Sequence, residues 1–328
     1  MDKEGYRRYL TVREHPIPED IVREAILMVK RFEKFIRKFD KTLETAGSSE
    51  VNKFSLVLIG EGANKDDNYI ALLRYGFFVK NMELYLAALE LLDGAEVMDV
   101  LRERLSEMVG NKERDEIFDG VDGPPLGLPS SEKPRVTKKV MDRMESILDL
   151  ETCQRVLAEV AHALPKDFRK DEREKYLKAG SLDEYLKQTQ MDGIGELERH
   201  RNDGTLFYNQ EISDEVIEFV KSRPDILVGE RRGNVIYHTK IPYMAKEYLA
   251  ATDNRMKRYY ACHCAWARES ILKGDVDISP TFCYCSGGFT KQSWEAALGQ
   301  PLRVEMINSV LKGDLECSFK VYLPEDVV

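Results

Sequence analysis

Two closely spaced cysteine pairs constrain this chain more than any other feature of its sequence. Five of the six cysteines lie between residues 262 and 317, and four of them form the pairs Cys262/Cys264 and Cys283/Cys285. Side chains two residues apart on a β-strand point to the same face of the strand. If the two segments are neighbouring strands, we expect four sulfur atoms to converge in the carboxy-terminal half of the chain.

Converging thiols fit three roles: metal binding, packing in the hydrophobic core and nucleophilic reactivity. Zinc accepts four thiolates in a tetrahedral arrangement, and an iron–sulfur cluster also takes four cysteine ligands. We favour zinc over an iron–sulfur cluster as the cofactor, with these metal ligands: Cys262, Cys264, Cys283 and Cys285. Two alternatives stay open. The cysteines are small hydrophobic core residues, or one of them is a reactive thiol with a lowered pKa, either Cys264 beside Arg268 or Cys285 near the two glycines.

The length of the chain and one run of glycine, proline and serine indicate two domains. At roughly 100–200 residues per domain, 328 residues correspond to about two. Residues 120–134, GVDGPPLGLPSSEKP, have the composition of a linker. We therefore predict a helical domain over residues 1–120, a linker over 121–134 and a second domain over 135–328.

Hydrophobic spacing indicates helices first and a small sheet last. The segment PEDIVREAILMVKRFEKFIRKF carries one apolar stripe at helical spacing. In the second half, the patterns predict a hairpin in DILVGERRGNVIYHTK, a strand in RYYACHCAW, a short helix in TKQSWEAALG and two strands in LRVEMINSVLKGDLECSFKVYLP. The predicted fold class is α+β: a helical N-terminal domain, followed by helices and a small antiparallel sheet with an inserted helix.

Charge and hydropathy argue against two classes of partner. The formal net charge is −9, whereas a general nucleic-acid-binding protein needs a basic face. No apolar run approaches the roughly 18–20 residues that cross a bilayer, and the start MDKEGYRRYLTVREHP lacks a signal-peptide core. We therefore expect a cytoplasmic protein that binds neither nucleic acid nor membrane. In a reducing compartment, clustered cysteines are more often ligands, reactive thiols or core residues than disulfides.

The last part of the chain resembles a known domain. Residues 258–324 carry, in order, a glycine-led helix, a strand with a glutamate, a Gly-Asp turn and a final Cys-x-Phe strand, here Gly287, Gly288, Glu305, Gly313, Asp314, Cys317 and Phe319. This order resembles the end of the 4-vinyl-reductase-type domain. It resembles more closely a group of uncharacterised prokaryotic proteins that join such an end to an upstream Cys-x-Cys pair.

The resemblance implies an α/β ligand-sensing fold, dimeric in many members, with an apolar pocket for a small molecule. In some members it implies zinc bound by cysteines. A small-molecule ligand and a homodimer are therefore expected here. Many members carry a cysteine at the position of Ser309, so a metal site that used this cysteine would need the Cys-x-Cys pairs in its place.

Together these observations predict a small-molecule-binding protein with a cysteine-rich, metal-binding pocket in its C-terminal domain. The alternative is a hydrolase-like enzyme that uses a cysteine or a metal-activated water in that pocket; the sequence assigns no catalytic residue. Glu305 is either a buried acid with a raised pKa or, as is more common on a strand, a solvent-facing side chain. The predicted ligand-binding residues are His263, Arg268, Gly287, Gly288, Glu305 and Cys317.

Overall fold

The computed structural model describes residues 1–12, 15–121, 123–165 and 169–325. Within these ranges the chain is mainly helical and has one small antiparallel sheet, so the predicted α+β class is confirmed. The chain forms two compact units, one of residues 1–95 with 123–133 and the other of residues 96–122 with 134–328. No helix in the described ranges is both long enough and apolar enough to cross a membrane.

The first unit consists of helices around an aromatic core. Its helices are α1 (Lys3–Thr11), α2 (Glu19–Ile36), α3 (Ser48–Gly60), α4 (Asp66–Phe78) and α5 (Met82–Leu92), with a 3-10 turn at Arg37–Phe39. The rings of Tyr6 and Tyr75 meet edge to face with centroids 4.9 Å apart, and the Tyr6 hydroxyl donates to Ala71 O at 3.0 Å. The apolar stripe predicted for α2 is buried in this core, as its spacing requires.

The glycine- and proline-rich residues 123–133, which we call the strap, belong to the first unit. The Ser55 hydroxyl donates to Gly127 O at 2.5 Å, and Lys133 Nζ donates to Asp93 O at 3.0 Å near the end of α5. An irregular segment can pack against a domain only where its polar groups find such partners. The strap therefore lies on the first unit, although its composition is that of a linker.

The division into units differs from the predicted boundary at residues 121–134. Residues 96–120, which we assigned to the first domain, lie in the second unit, where Val97, Leu101 and Leu105 join the hydrophobic core. Composition indicates where a chain lacks regular structure, but it does not report the hydrogen bonds that an irregular segment makes.

The second unit surrounds a sheet with helices. Its helices are α6 (Val97–Met108), α7 (Asn111–Ile117), α8 (Lys133–Ile147), α9 (Leu150–Val160), α10 (Glu172–Ala179), α11 (Leu182–Asp203), α12 (Asp214–Lys221), α13 (Ala245–Ala250), α14 (Asn254–Ala261), α15 (Arg268–Lys273) and α16 (Tyr284–Leu298), with 3-10 turns at Ala161–Ala163 and Pro280–Cys283. The strands are β1 (Glu230–Arg232), β2 (Val235–Thr239), β3 (Arg303–Asn308) and β4 (Ser318–Tyr322).

The sheet has the order β1-β2-β4-β3, and its neighbouring strands are antiparallel. The predicted hairpin is confirmed, with Gly233 at a φ of 64° in its turn. The two predicted last strands are confirmed as well, and Phe319 and Val321 of β4 are fully buried. Alternation along β4 places both side chains on the face that packs against the helices.

The elements predicted around the cysteine pairs are wrong. The segment RYYACHCAW is not a strand: it is the end of α14, followed by extended backbone at Cys262. The Asp253 side chain caps the start of α14, and this cap outweighs the strand propensity of the tyrosines. Cys283 ends a 3-10 turn and Cys285 lies in the first turn of α16, so neither is on a strand.

The helix α16 begins earlier than predicted because its two glycines are helical. They permit close packing on both sides of the helix. A Cβ atom on Gly287 would lie 3.2 Å from the Phe319 ring, and one on Gly288 would lie 1.8 Å from the carbonyl oxygen of Ala158 in α9. The glycine pair thus allows α16 to pack between the sheet and α9. The helix α16 ends at Gly299, as predicted.

Candidate functional site

The five clustered cysteines line one small cavity in the second unit, which we call the thiol cavity. Its volume is about 20 Å³, room for one water molecule or one metal ion but not for an organic molecule. Its wall consists of His162, Lys240, Cys262, His263, Cys264, Phe282, Cys283, Cys285, Ser286, Val310 and Cys317.

Three stretches of chain carry the sulfur atoms to this cavity. The first cysteine pair follows the end of α14, the second lies at the start of α16, and Cys317 directly precedes β4. The backbone N–H of Lys240, the residue after β2, donates to Cys317 O at 3.0 Å. The cavity therefore lies at the end of the sheet where β2 stops and β4 begins.

Four of the thiols face one another. Cys262 lies close enough to Cys264 and Cys317 for their negative charge to raise its pKa. Cys283 hydrogen-bonds with Cys317 and also senses the charge of Cys262. The sulfur atoms in mutual contact or electrostatic reach are those of Cys262, Cys264, Cys283 and Cys317.

The fifth thiol, Cys285, contacts an unusual turn after α9. Residues 161–163, Ala-His-Ala, have φ values of 44°, 58° and 61°, although none is glycine. Left-handed backbone costs roughly 1–2 kcal/mol per residue for an L-amino acid. The turn directs His162 toward α16: its N–H donates to Cys285 Sγ at 3.2 Å, and its Nε2 lies 3.2 Å from Ser286 Oγ.

Burial raises the pKa of most of these thiols. Burial, and then the charges of two neighbouring thiols, hold the pKa of Cys262 well above its usual range, and burial raises the pKa of Cys285 to about 11. Cys317 is the exception, because a hydrogen bond from the Cys283 thiol holds its pKa below the usual range. The Ser309 hydroxyl donates to Cys283 Sγ at 3.1 Å. Among Cys262, Cys283, Cys285 and Cys317, only Cys317 has its pKa lowered by its surroundings.

Lys240 is a buried lysine side chain beside the thiols. It is 8% exposed, and its Nζ donates to Ser286 Oγ at 2.8 Å. Among the residues that the structure describes, it forms no ion pair with a carboxylate. Burial lowers its pKa, while negative charge on the thiols, that of Cys317 first, raises it. A buried ammonium group is unfavourable unless it is paired, so the protonated form of Lys240 is stabilised most when Cys317 is a thiolate.

The two histidines of the cavity are neutral near pH 7. Burial, and then the charge of Lys240, lower the pKa of His162 to about 3 and that of His263 well below its usual range. His263 Nε2 donates to Ile241 O at 2.6 Å, which leaves Nδ1 without a proton. Neutral imidazole is the form that ligates metals.

The side chains do not form a ready coordination sphere. In the described part of the chain, no three histidine, cysteine, aspartate or glutamate side chains are gathered closely enough to hold a metal ion as they stand. A metal would therefore require the thiols to move toward the centre of the cavity and to lose their protons.

Of the six predicted ligand residues, His263 and Cys317 line the thiol cavity. Arg268 does not line it; its side chain is buried at the start of α15, with the guanidinium carbon 4.6 Å from the centroid of the Tyr243 ring. The two predicted glycines are the packing residues of α16 and present no side chain to a ligand.

Glu305 faces solvent, the more common outcome for a glutamate on a strand. Its side chain is 39% exposed, and its carboxylate accepts from the Tyr322 hydroxyl at 2.5 Å and from Lys320 Nζ at 3.0 Å. These two hydrogen bonds lower the pKa of the carboxyl. Glu305 is therefore a surface ion-pair residue and does not line the thiol cavity.

Sequence reasoning missed Lys240, His162 and Ser286 as residues of the cavity. A usable signal existed for Lys240, because it directly follows β2 and continues the alternation that places Ile236 on the buried face. His162 carried no such signal, since its position depends on a left-handed turn without glycine.

Comparisons with known proteins place no further constraint on this site: no protein-family model, curated protein or solved structure matches the chain. The resemblance of residues 258–324 to the 4-vinyl-reductase-type domain accordingly stays a prediction.

Proposed function

We propose that the second unit binds one thiophilic metal ion in the thiol cavity, with zinc as the expected metal. The observation that supports this proposal is that five cysteines from three stretches of chain surround a space of about 20 Å³. Zinc takes four ligands, with sulfur at about 2.3 Å. An iron–sulfur cluster contains several atoms and needs more room, so the size of the cavity favours a single ion.

The contacts between the thiols change the predicted ligand set by one residue. Cys317 replaces Cys285, because Cys317 interacts with Cys283 and Cys262, whereas Cys285 is engaged by the backbone of His162. The proposed ligands are Cys262, Cys264, Cys283 and Cys317.

Lys240 supports the same proposal through its charge. A zinc ion with four thiolates carries a net charge of −2, and outer-shell donors stabilise such a charge. Lys240 Nζ lies in the wall of the cavity and has Ser286 Oγ as its hydrogen-bond partner, and Ser309 Oγ donates to the sulfur of Cys283. In this reading the buried ammonium group compensates the thiolate site.

We also propose that the protein works in the cytoplasm, where a reducing environment keeps thiols available for a metal. The six cysteines, all within the described ranges, form no disulfide. A small-molecule ligand would require more space than the thiol cavity offers as it stands.

Anaerobically purified protein should contain about one zinc ion per chain, measured by elemental analysis and by native mass spectrometry. The double variant Cys262→Ser and Cys283→Ser should contain less than about a tenth of that amount, because two of four proposed ligands are lost. Native mass spectrometry reports the expected homodimer in the same measurement.

Cys153→Ser is the matched control for this experiment. Cys153 is buried in α9 among hydrophobic side chains, away from the cavity wall, and should leave the metal content unchanged. The proposal is wrong if wild-type protein, purified without oxygen and then incubated with zinc, retains no stoichiometric metal after gel filtration.

A second candidate function rests on the lowered pKa of Cys317. A thiol that is readily deprotonated, beside a buried lysine, is the arrangement of a cysteine nucleophile. This candidate moves the predicted reactive thiol from Cys264 or Cys285 to Cys317. It corresponds to the hydrolase-like alternative, with a covalent intermediate on sulfur.

The second candidate predicts that iodoacetamide alkylates Cys317 faster than each of the other thiols at pH 7 in chelator-treated protein, because the lowered pKa gives Cys317 a larger thiolate fraction. Peptide mass spectrometry over a time course measures the rate at each cysteine. Cys264 and Cys283 are more exposed than Cys317. Faster labelling of these two would show that accessibility sets the rates, and it would remove the support for a nucleophile.

A further inference from the structure

A second concave surface of this unit carries two arginines in its wall. Its volume is about 370 Å³, within the range of small-molecule sites, and we call it the arginine cleft. Its lining includes Arg255, Arg258, Ile271, Asp277, Ile278 and Leu311.

The two guanidinium groups are available to an anion. Arg255 and Arg258 are three residues apart on α14 and therefore lie on the same side of the helix. Arg258 Nε donates to Val310 O at 2.7 Å, and Arg255 Nη1 donates to Leu272 O at 3.4 Å. Neither forms an ion pair with a carboxylate of the described residues. Because a guanidinium has five N–H donors, most of them remain for a ligand.

The rest of the cleft selects among anions. Ile271 and Ile278 line the cleft but are only 5% and 2% exposed, so its accessible apolar surface comes mainly from the half-buried Val276 and Leu311. The exposed Asp277 lies in the same lining and contributes one negative charge. Two positive charges and one negative charge favour a monoanion over a polyanion, and Val276 and Leu311 offer an apolar surface to the hydrocarbon body of such an anion.

We propose that the arginine cleft binds a small organic monocarboxylate with an apolar body, its carboxylate held by Arg255 and Arg258. This site goes beyond the proposed metal site and does not depend on it, since no lining residue is common to both. Consecutive residues of the chain line the two sites: Val310 lines the thiol cavity and Leu311 lines the arginine cleft.

Titration of the full chain with hexanoate, followed by ligand-observed NMR, tests the proposal. We expect saturable binding with a Kd of about 1 mM or below, as is typical of a ligand with so few atoms. Hexanamide, a neutral molecule of the same shape, and acetate, which lacks the hydrocarbon body, should each bind at least about tenfold more weakly.

Three single variants sharpen the test. Arg255→Gln should weaken hexanoate binding about tenfold, because a charge-assisted hydrogen bond is lost. Asp277→Asn should strengthen it about threefold, because a like charge near the ligand is removed. Lys257→Gln is the matched control: it removes the same charge from α14 at a residue that does not line the cleft, and it should change the Kd by less than about twofold.

Arg255 and Asp277 are exposed, so both variants should fold, and circular dichroism checks that they do. The proposal is overturned if hexanoate shows no saturable binding up to about 10 mM, far above the expected Kd. It is equally overturned if hexanamide binds as well as hexanoate, or if Lys257→Gln weakens binding as much as Arg255→Gln. None of these results bears on the metal content of the thiol cavity.

Discussion

Gly288→Ala will destabilise the second unit by about 3 kcal/mol, the upper part of the range for overpacked cores. The added Cβ atom would lie 1.8 Å from the carbonyl oxygen of Ala158, and this oxygen belongs to the backbone of α9, which cannot rotate away as a side chain can. Either α16 must move away from α9 or α9 must distort. Thermal unfolding should show a melting temperature lower by about 6–12 °C for a domain of this size.

Gly195→Ala is the matched control for this prediction. Gly195 also lies inside a helix, α11, but a Cβ atom there would meet no other atom within 4 Å. Alanine is the better helix former by about 1 kcal/mol, so this variant should be as stable as the wild type or more stable. An unchanged melting temperature for Gly288→Ala would show that α16 and α9 are not packed as closely as described.

Cys317→Ser will weaken zinc binding about 100-fold, whereas Cys285→Ser will change it by less than about threefold. Structural zinc sites contribute roughly 10–16 kcal/mol from four ligands, or about 3 kcal/mol per thiolate, which corresponds to about 100-fold in affinity. The difference between the two variants follows from their contacts, since Cys317 interacts with Cys283 and Cys285 with His162 N. Competition with a chromophoric chelator under anaerobic conditions measures both affinities.

This pair of variants separates two ligand sets that share three cysteines. If Cys285→Ser loses as much affinity as expected for Cys317→Ser, the set predicted from the two Cys-x-Cys pairs is correct and the revised set is wrong. Both serines preserve the size of the side chain, and both sites are buried, so a loss of packing should affect the two variants alike.

The α+β fold class could be predicted from local sequence patterns, because several helices and strands carry their signal within their own residues. Helical periodicity identified α2, the turn at Gly233 identified the hairpin, and alternation gave the buried face of β4 at Phe319. Each of these signals is contained within a few turns or a few residues of chain. None depends on which other segment the element packs against.

The cysteines were predicted to converge because they would share a face of neighbouring strands, but the structure has no strands at these cysteine pairs. Strand alternation at Cys262 and Cys283 suggested a shared face, yet both residues lie at the ends of helical segments. The cap at Asp253 was a local signal that could have identified α14. The left-handed turn that holds His162 could not have been found, because alanine and histidine do not indicate positive φ.

The discontinuous first unit has a practical consequence for the design of truncated proteins. A fragment that stops at residue 95 lacks the strap, and with it the acceptor at Gly127 O for the buried hydroxyl of Ser55. A fragment that begins at residue 135 lacks residues 96–121, whose side chains fill part of the other core. No single cut along this polypeptide yields two complete folding units. Each unit must therefore be studied within the intact chain, or as a fragment to which its second segment has been rejoined.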